Sequence, residues 1–378
     1  MIKLGIEMLD DHLALFNNKR VGLITNPTGV DQALKTTIEH LREKINLTAL
    51  YAPEHGVRGN LQAGKRLVDY HDEETGLPVY SLYGETKKPT KAMLEGIDIL
   101  CFDIQDVGAR FYTYIYTMAY AMMGAKEHGK TFVVFDRPNP LGNKVEGNIL
   151  DTNFRSFVGY YPLPQRHGLT TGELALLFNE QFDIHCDLKV ITMKNYDKTN
   201  THFTYDYPYV APSPNLPTKD SVFYYMMTYA FEGTNISEGR GTTKPFQIIG
   251  APFFNPDEVI KQFNQLEINH VQLRKTYFTP TFSKHADTLC AGVEVYIKDF
   301  DEVDLASTGL KLLMIVKKIH PEFTFNNPYK EGMHPMIDLL FGTDKIRLNH
   351  LSIDEVDAFM KEDLDPYLKQ KASVTLCE

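Results

Sequence analysis

Five short apolar runs in the first 215 residues each stop at a polar cluster rich in glycine and proline. RVGLIT leads into NPTGVD, LTALYA into PEHGVRG, DILCFDI into QDVGARFYTY, TFVVFD into RPNPLGN, and YPYVA into PSPNLPT. Helix-like segments (ALKTTIEHLREKIN, KAMLEGID, YTMAYAMMGAKEHG) lie between several of them. Near-continuous apolar strands alternating with helices predict a mostly parallel sheet covered on both faces. Such sheets bind ligands outside the carboxyl ends of their strands. The polar clusters all follow strands, so they are expected to gather along one edge of one sheet.

The second half breaks this rhythm. NPDEVIKQFNQLE predicts a helix with an Asn cap and Pro256 in its first position. STGLKLLMIVKKIHPE predicts an amphipathic helix stopped by Pro321, and Ser352 with Glu355 stands at capping-box spacing ahead of another. HADTLCAGVEVYIKD and FQIIGAP are strand candidates. A chain of 378 residues exceeds what one core usually serves. The boundary is placed near residue 225, giving an N-terminal domain over 1–225 and a smaller α/β domain over 226–378.

Charge and cysteine usage exclude several classes. With 39 basic against 49 acidic residues and a net charge of −10, nucleic acid and anionic membrane surfaces are poor partners. None of the four cysteines sits in a CxxC pair, so neither a disulfide framework nor a zinc cluster is expected. No apolar stretch reaches the ~18 residues of a membrane span. The N-terminus carries charges throughout and does not read as a signal peptide. The expected compartment is the cytoplasm, or the outside if a leader has been removed. GNLQAGKR imitates a phosphate-binding loop but ends in Arg66, where Ser or Thr would hold magnesium, and LVDYHDEETGLP after it reads as a loop rather than a helix. No GxGxxG follows a strand, so no cofactor is expected.

The strand-end clusters carry the candidate chemistry. Glu54, His55 and Arg58 share the one after LTALYA. Loops in such positions hold functional residues disproportionately often. A glutamate beside Pro53, once partly desolvated, has its pKa raised toward that of a general acid. FDIQDVGARFYTYIYTM holds Asp103, Asp106, Arg110 and the alternating Tyr112, Tyr114 and Tyr116. The aspartates suit a metal, substrate hydroxyls or pairing with Arg110. One set of tyrosines would pack while the other lines a sugar-sized cleft. Arg166 and His167 precede a helix cap at Thr170 or Thr171 and read equally as an anion clamp or a surface charge pair. FEGTNISEGRGTTKPF masses Glu232, Asn235, Glu238 and Arg240 among three glycines, which would let the backbone approach a ligand. Glu146 is either catalytic or a brace for its neighbouring loop.

Carboxylates, arginines and aromatics, without a catalytic cysteine or a nucleophile-elbow serine, form the inventory of a carbohydrate-processing site. Glycoside hydrolysis commonly uses one protonated and one ionised carboxyl. At this point a resemblance enters. VGLITNPTGVD, YAPEHGVRG, FDIQDVGARFYTYIYTM, DRPNPLG…VEG, PLPQRHGLTTGELA, PSPNLPT and EGTNISEGRGTTKPF resemble the exo-β-N-acetylmuramidases of the NamZ type, in the same order along the chain. Those enzymes release terminal N-acetylmuramic acid from peptidoglycan fragments. The resemblance implies a Rossmann-like N-terminal domain, a smaller C-terminal α/β domain and a site in the cleft between them. It implies Glu54 as the catalytic glutamate. Glu238 is the preferred partner, with Glu146 and Glu232 as alternatives. The implied substrate is MurNAc-GlcNAc or a muropeptide fragment. Its lactyl carboxylate calls for an arginine, with Arg58, Arg110, Arg166 and Arg240 available. The substrate's own 2-acetamido group is an alternative nucleophile. Two other functions remain open: a non-catalytic cell-wall sugar binder using the same cleft, and a metal-dependent hydrolase using Asp103, Asp106 and His55.

Overall fold

The structure, a computed structural model, describes residues 2–59, 68–84, 86–199, 201 and 207–376. GNLQAGKR, apart from Gly59, lies outside the described residues. The first unit is built on β1 (Arg20–Thr25), β2 (Asn46–Ala52), β3 (Tyr70–His71), β4 (Pro78–Ser81), β5 (Ile99–Asp103), β6 (Thr131–Phe135) and β7 (Leu188–Ile191). They form one seven-stranded sheet in the order β3-β4-β2-β1-β5-β6-β7. Every pairing is parallel except that of β3 with β4.

The apolar runs are continuous because the sheet is covered on both faces. Successive residues alternate between two cores. Leu23, Leu50, Cys101 and Val133 face one of them, while Ile24, Tyr51, Phe102 and Val134 face the other. Helices Thr37–Lys44, Lys91–Leu94 and Tyr114–Glu127 occupy the three helix-like segments. Two expectations need correction. LVDYHDEETGLP, read as a loop, contains β3. YPYVA forms no strand; its aromatic and β-branched residues imitate one, but proline interrupts it and no neighbour pairs with it.

The second unit carries an antiparallel sheet of β8 (Ile248–Ala251), β9 (Val271–Phe278) and β10 (Cys290–Ile297), ordered β8-β10-β9. β9 was not anticipated: its exposed face is polar and charged, so its apolar content is low. Helices Pro256–Asn264 and Leu305–Ile319 form where expected, capped by Asn255 and Asp304. Ser352 and Glu355 do make a capping box, but on a short 3₁₀ turn. The last helix, Leu364–Ser373, returns to the first unit, where the buried Tyr367 hydroxyl donates to the His167 carbonyl at 2.6 Å.

Candidate functional site

β2, β1, β5 and β6 are neighbours, so the four clusters that follow them do open along one sheet edge. Only two of these clusters reach the cleft beside the second unit, together with Tyr83 from beyond β4. The cleft, about 440 Å³, lies between that edge and the second unit.

Glu54 and His55 enter it from a tight turn. The Gly56 amide donates to the Pro53 carbonyl at 3.1 Å, and His55 has a φ of 72°. A positive φ at the third position is the mark of a type II turn, which normally takes glycine there. A histidine held in this region is mild stored strain of the kind found at functional loops. The turn projects Glu54 into the cleft, where its carboxylate accepts from the Thr113 hydroxyl at 3.1 Å. Tyr83 stands beside it. Burial, then the Glu54 charge, push the Tyr83 phenol up, so it stays protonated at neutral pH.

The opposite wall is the FEGTNISEGRG loop. Glu238 is buried and accepts from Arg240 and from Lys284, each at 2.8 Å. Burial pushes its carboxyl up, but the two cations outweigh that and hold it below the usual range. Arg240 also pairs with Glu232. The glycines here serve the chain's own packing rather than a ligand. Gly239 and Gly241 have φ of 80° and 81°, and a Cβ on them would stand 2.7 Å from the Ile248 carbonyl and 2.6 Å from that of Phe282.

Tyr112 and Tyr114 both line the floor with Phe111 and Tyr225. Tyr116 packs away, donating to the Arg110 carbonyl at 2.6 Å. The expected alternation of tyrosines fails because a helix begins at Tyr114, and period two gives way to 3.6.

Other sequence-predicted residues lie elsewhere. Arg58 is held by Asp72 at 3.0 and 2.9 Å. Asp103 is buried beneath Arg137 and Thr37. Asp106 accepts from the Gly108 amide at 2.8 Å and meets His167 at 3.1 Å, both buried. The Leu169 amide donates to His167 Nδ1 at 3.2 Å, so Nε2 carries the proton toward Asp106. Arg110 is fully buried and donates to the carbonyls of Asn148, Leu163 and Leu340 at 2.7–2.8 Å. Asn235 ties down residues 322 and 324. Arg166 donates to Glu146 at 2.5 Å, and the other Glu146 oxygen accepts from the Leu305 amide at 2.8 Å. Asp103, Asp106 and His55 therefore do not converge, and no cluster of three metal-ligating side chains occurs among the described residues.

Comparison with known proteins fits this geometry. Residues 21–220 match the N-terminal domain of exo-β-N-acetylmuramidase NamZ, and residues 223–376 match its C-terminal domain. The chain belongs to the NamZ family. It is 54% identical over 325 residues to a Bacillus subtilis protein named peptidoglycan β-N-acetylmuramidase NamZ, covering 85% of this chain and 78% of that one. Two crystal structures of DUF1343 family proteins from Bacteroides fragilis superpose with TM-scores of 0.90 and 0.79 at 36% and 33% identity. Each alignment covers 100% of this chain and 99% of the other.

Tyr83, Thr113, Phe157, Ser213, Asn215 and Lys284 also line the cleft and are not anticipated from the sequence. PSPNLPT was flagged as a strand-end cluster, and Ser213 and Asn215 could have been found there. Lys284 lies in an unremarkable polar stretch and carried no signal.

Proposed function

We propose that this chain is a glycoside hydrolase that releases terminal β-linked N-acetylmuramic acid from the non-reducing end of peptidoglycan fragments. The observation that carries the reading is that two carboxyls, Glu54 from the first unit and Glu238 from the second, line one cleft. Glu54 accepts from the Thr113 hydroxyl and stands beside that of Tyr83. Glu238 is kept ionised by Arg240 and Lys284. Glu54, on a turn that projects it into the cleft, is the group assigned to protonate the leaving oxygen. Glu238 suits a fixed negative charge that stabilises an oxocarbenium-like transition state or orients the 2-acetamido group.

Of the four arginines considered for the lactyl carboxylate, only Arg240 lines the cleft. Arg240 and Lys284 are both shared with Glu238, and their remaining N–H groups are the donors assigned to the lactyl carboxylate. Glu146 reads as a brace between the units.

The test is Glu54→Gln assayed for release of N-acetylmuramic acid from MurNAc-GlcNAc. Turnover falls by about 10²–10⁴-fold, the usual share of general acid catalysis, and the melting temperature hardly changes. Turnover near that of the unaltered protein removes Glu54 from this role.

A further inference from the structure

The cleft is chemically divided. Its cations Arg240 and Lys284 come from the second unit, with Glu232 and Glu238, while the first unit adds Glu54 and His55. Along another part of the wall, beside Glu54, runs a lip of aromatic and apolar side chains, Tyr83, Phe157, Val158 and Met336.

The lip is built, not incidental. The Ser156 amide donates to the Gly159 carbonyl at 2.7 Å, and the Gly159 amide returns the bond at 3.3 Å. This tight turn presents Phe157 and Val158 side by side. Phe157 packs on the core of the first unit and Val158 on that of the second. Phe157 is fixed further by Tyr83, with ring centroids 6.1 Å apart, and by the Lys87 ammonium 3.7 Å above it. The turn is joined to the Met336 segment through Phe154 and His334, whose rings lie 4.5 Å apart. Met336 is 38% exposed, so this end of the lip meets solvent, while Glu238 is 1% exposed.

We infer that this lip is the subsite for the aglycone, taking the neutral face of an N-acetylhexosamine ring. The inference rests on the exo-muramidase reading above. An exo-enzyme holds the terminal sugar at the closed end and lets the rest of the substrate leave toward solvent. The terminal sugar carries the carboxylate, and the cations Arg240 and Lys284 sit by buried Glu238. The leaving sugar is neutral and presents a C–H face suited to aromatic and thioether groups. Tyr83 begins the lip beside Glu54, so a ring resting there brings its glycosidic oxygen next to the proposed acid.

Phe157→Ala tests this. KM for MurNAc-GlcNAc rises about tenfold, the size of one lost aromatic contact. The effect falls on KM rather than kcat. The inhibition constant of free N-acetylmuramic acid, which occupies only the charged end, stays the same. Met336→Ser, at an exposed position that tolerates change, raises KM in the same direction. An unchanged KM in both variants overturns the inference, as does an inhibition constant that rises in parallel with KM. If the unaltered protein cleaves no β-muramide at all, the underlying reading falls first, and that result is separate from either variant's.

Discussion

Glu54 and Glu238 show how environment separates two chemically identical side chains. Glu54 rides a turn whose third residue, His55, has φ 72°, and it accepts a hydrogen bond from the Thr113 hydroxyl. Glu238 is buried between two cations that keep its carboxyl below the usual range. A depressed folded-state pKa stabilises the protein above the unfolded value of 4.5, and that stabilisation is lost as pH falls through the folded value. Glu238→Gln therefore lowers the melting temperature more at pH 7 than near pH 3. Thermal scans at both values check this, and an equal loss at each would contradict the ion-pair account.

At the scale of elements, the two units are stitched through a few buried polar groups. Glu146 joins Arg166 of the first unit to the N-terminus of helix Leu305–Ile319 in the second. The helix dipole favours the carboxylate there. Removing one partner of a buried pair costs about 3–5 kcal/mol. Glu146→Ala should lose an amount of that order in urea unfolding, and Glu146→Gln, which retains an oxygen for the helix amides, should lose less. Losses below about 1 kcal/mol in both would remove the bracing role. Within the second unit, the same helix lies against Ser221–Thr228 so closely that a Cβ on Gly309 would stand 1.7 Å from the Met227 carbonyl. Backbone cannot yield there as a side chain can. Gly309→Ala forces the helices apart and costs about 1–3 kcal/mol or more, read as a lowered denaturation midpoint.

For the whole molecule, the cleft exists only because the sheet edge and the FEGTNISEGRG loop face each other. A ligand that bridges them stabilises the folded state by mass action, about 2.7 kcal/mol at a hundredfold excess over its dissociation constant. Free N-acetylmuramic acid should raise the melting temperature. N-acetylglucosamine, which lacks the lactyl carboxylate, should raise it less at the same concentration. Equal shifts would show that Arg240 and Lys284 do not read that group. Among the described residues no helix is long and apolar enough to cross a membrane.

The parallel sheet was legible in the sequence because burial on both faces writes itself as continuous apolar runs ended by polar clusters. The gathering of the loops after β2, β1, β5 and β6 along one edge follows from the same logic, although only those after β2 and β5 reach the cleft. The cleft residues Glu54, His55, Tyr112, Glu232, Glu238 and Arg240 were visible as residue types at loop positions. What the sequence could not decide was which charges face solvent and which face each other. Arg58, Arg110 and Arg166 look like Arg240 in one dimension, yet each is spent on a carboxylate or on backbone carbonyls away from the cleft. Asp103 and Asp106 likewise turn inward, to Arg137 and His167. Local pattern fixes secondary structure through side-chain period and burial. The partner of a charged group is set by contacts between segments as far apart as Glu238 and Lys284, or Glu146 and Leu305, which only the folded chain brings together.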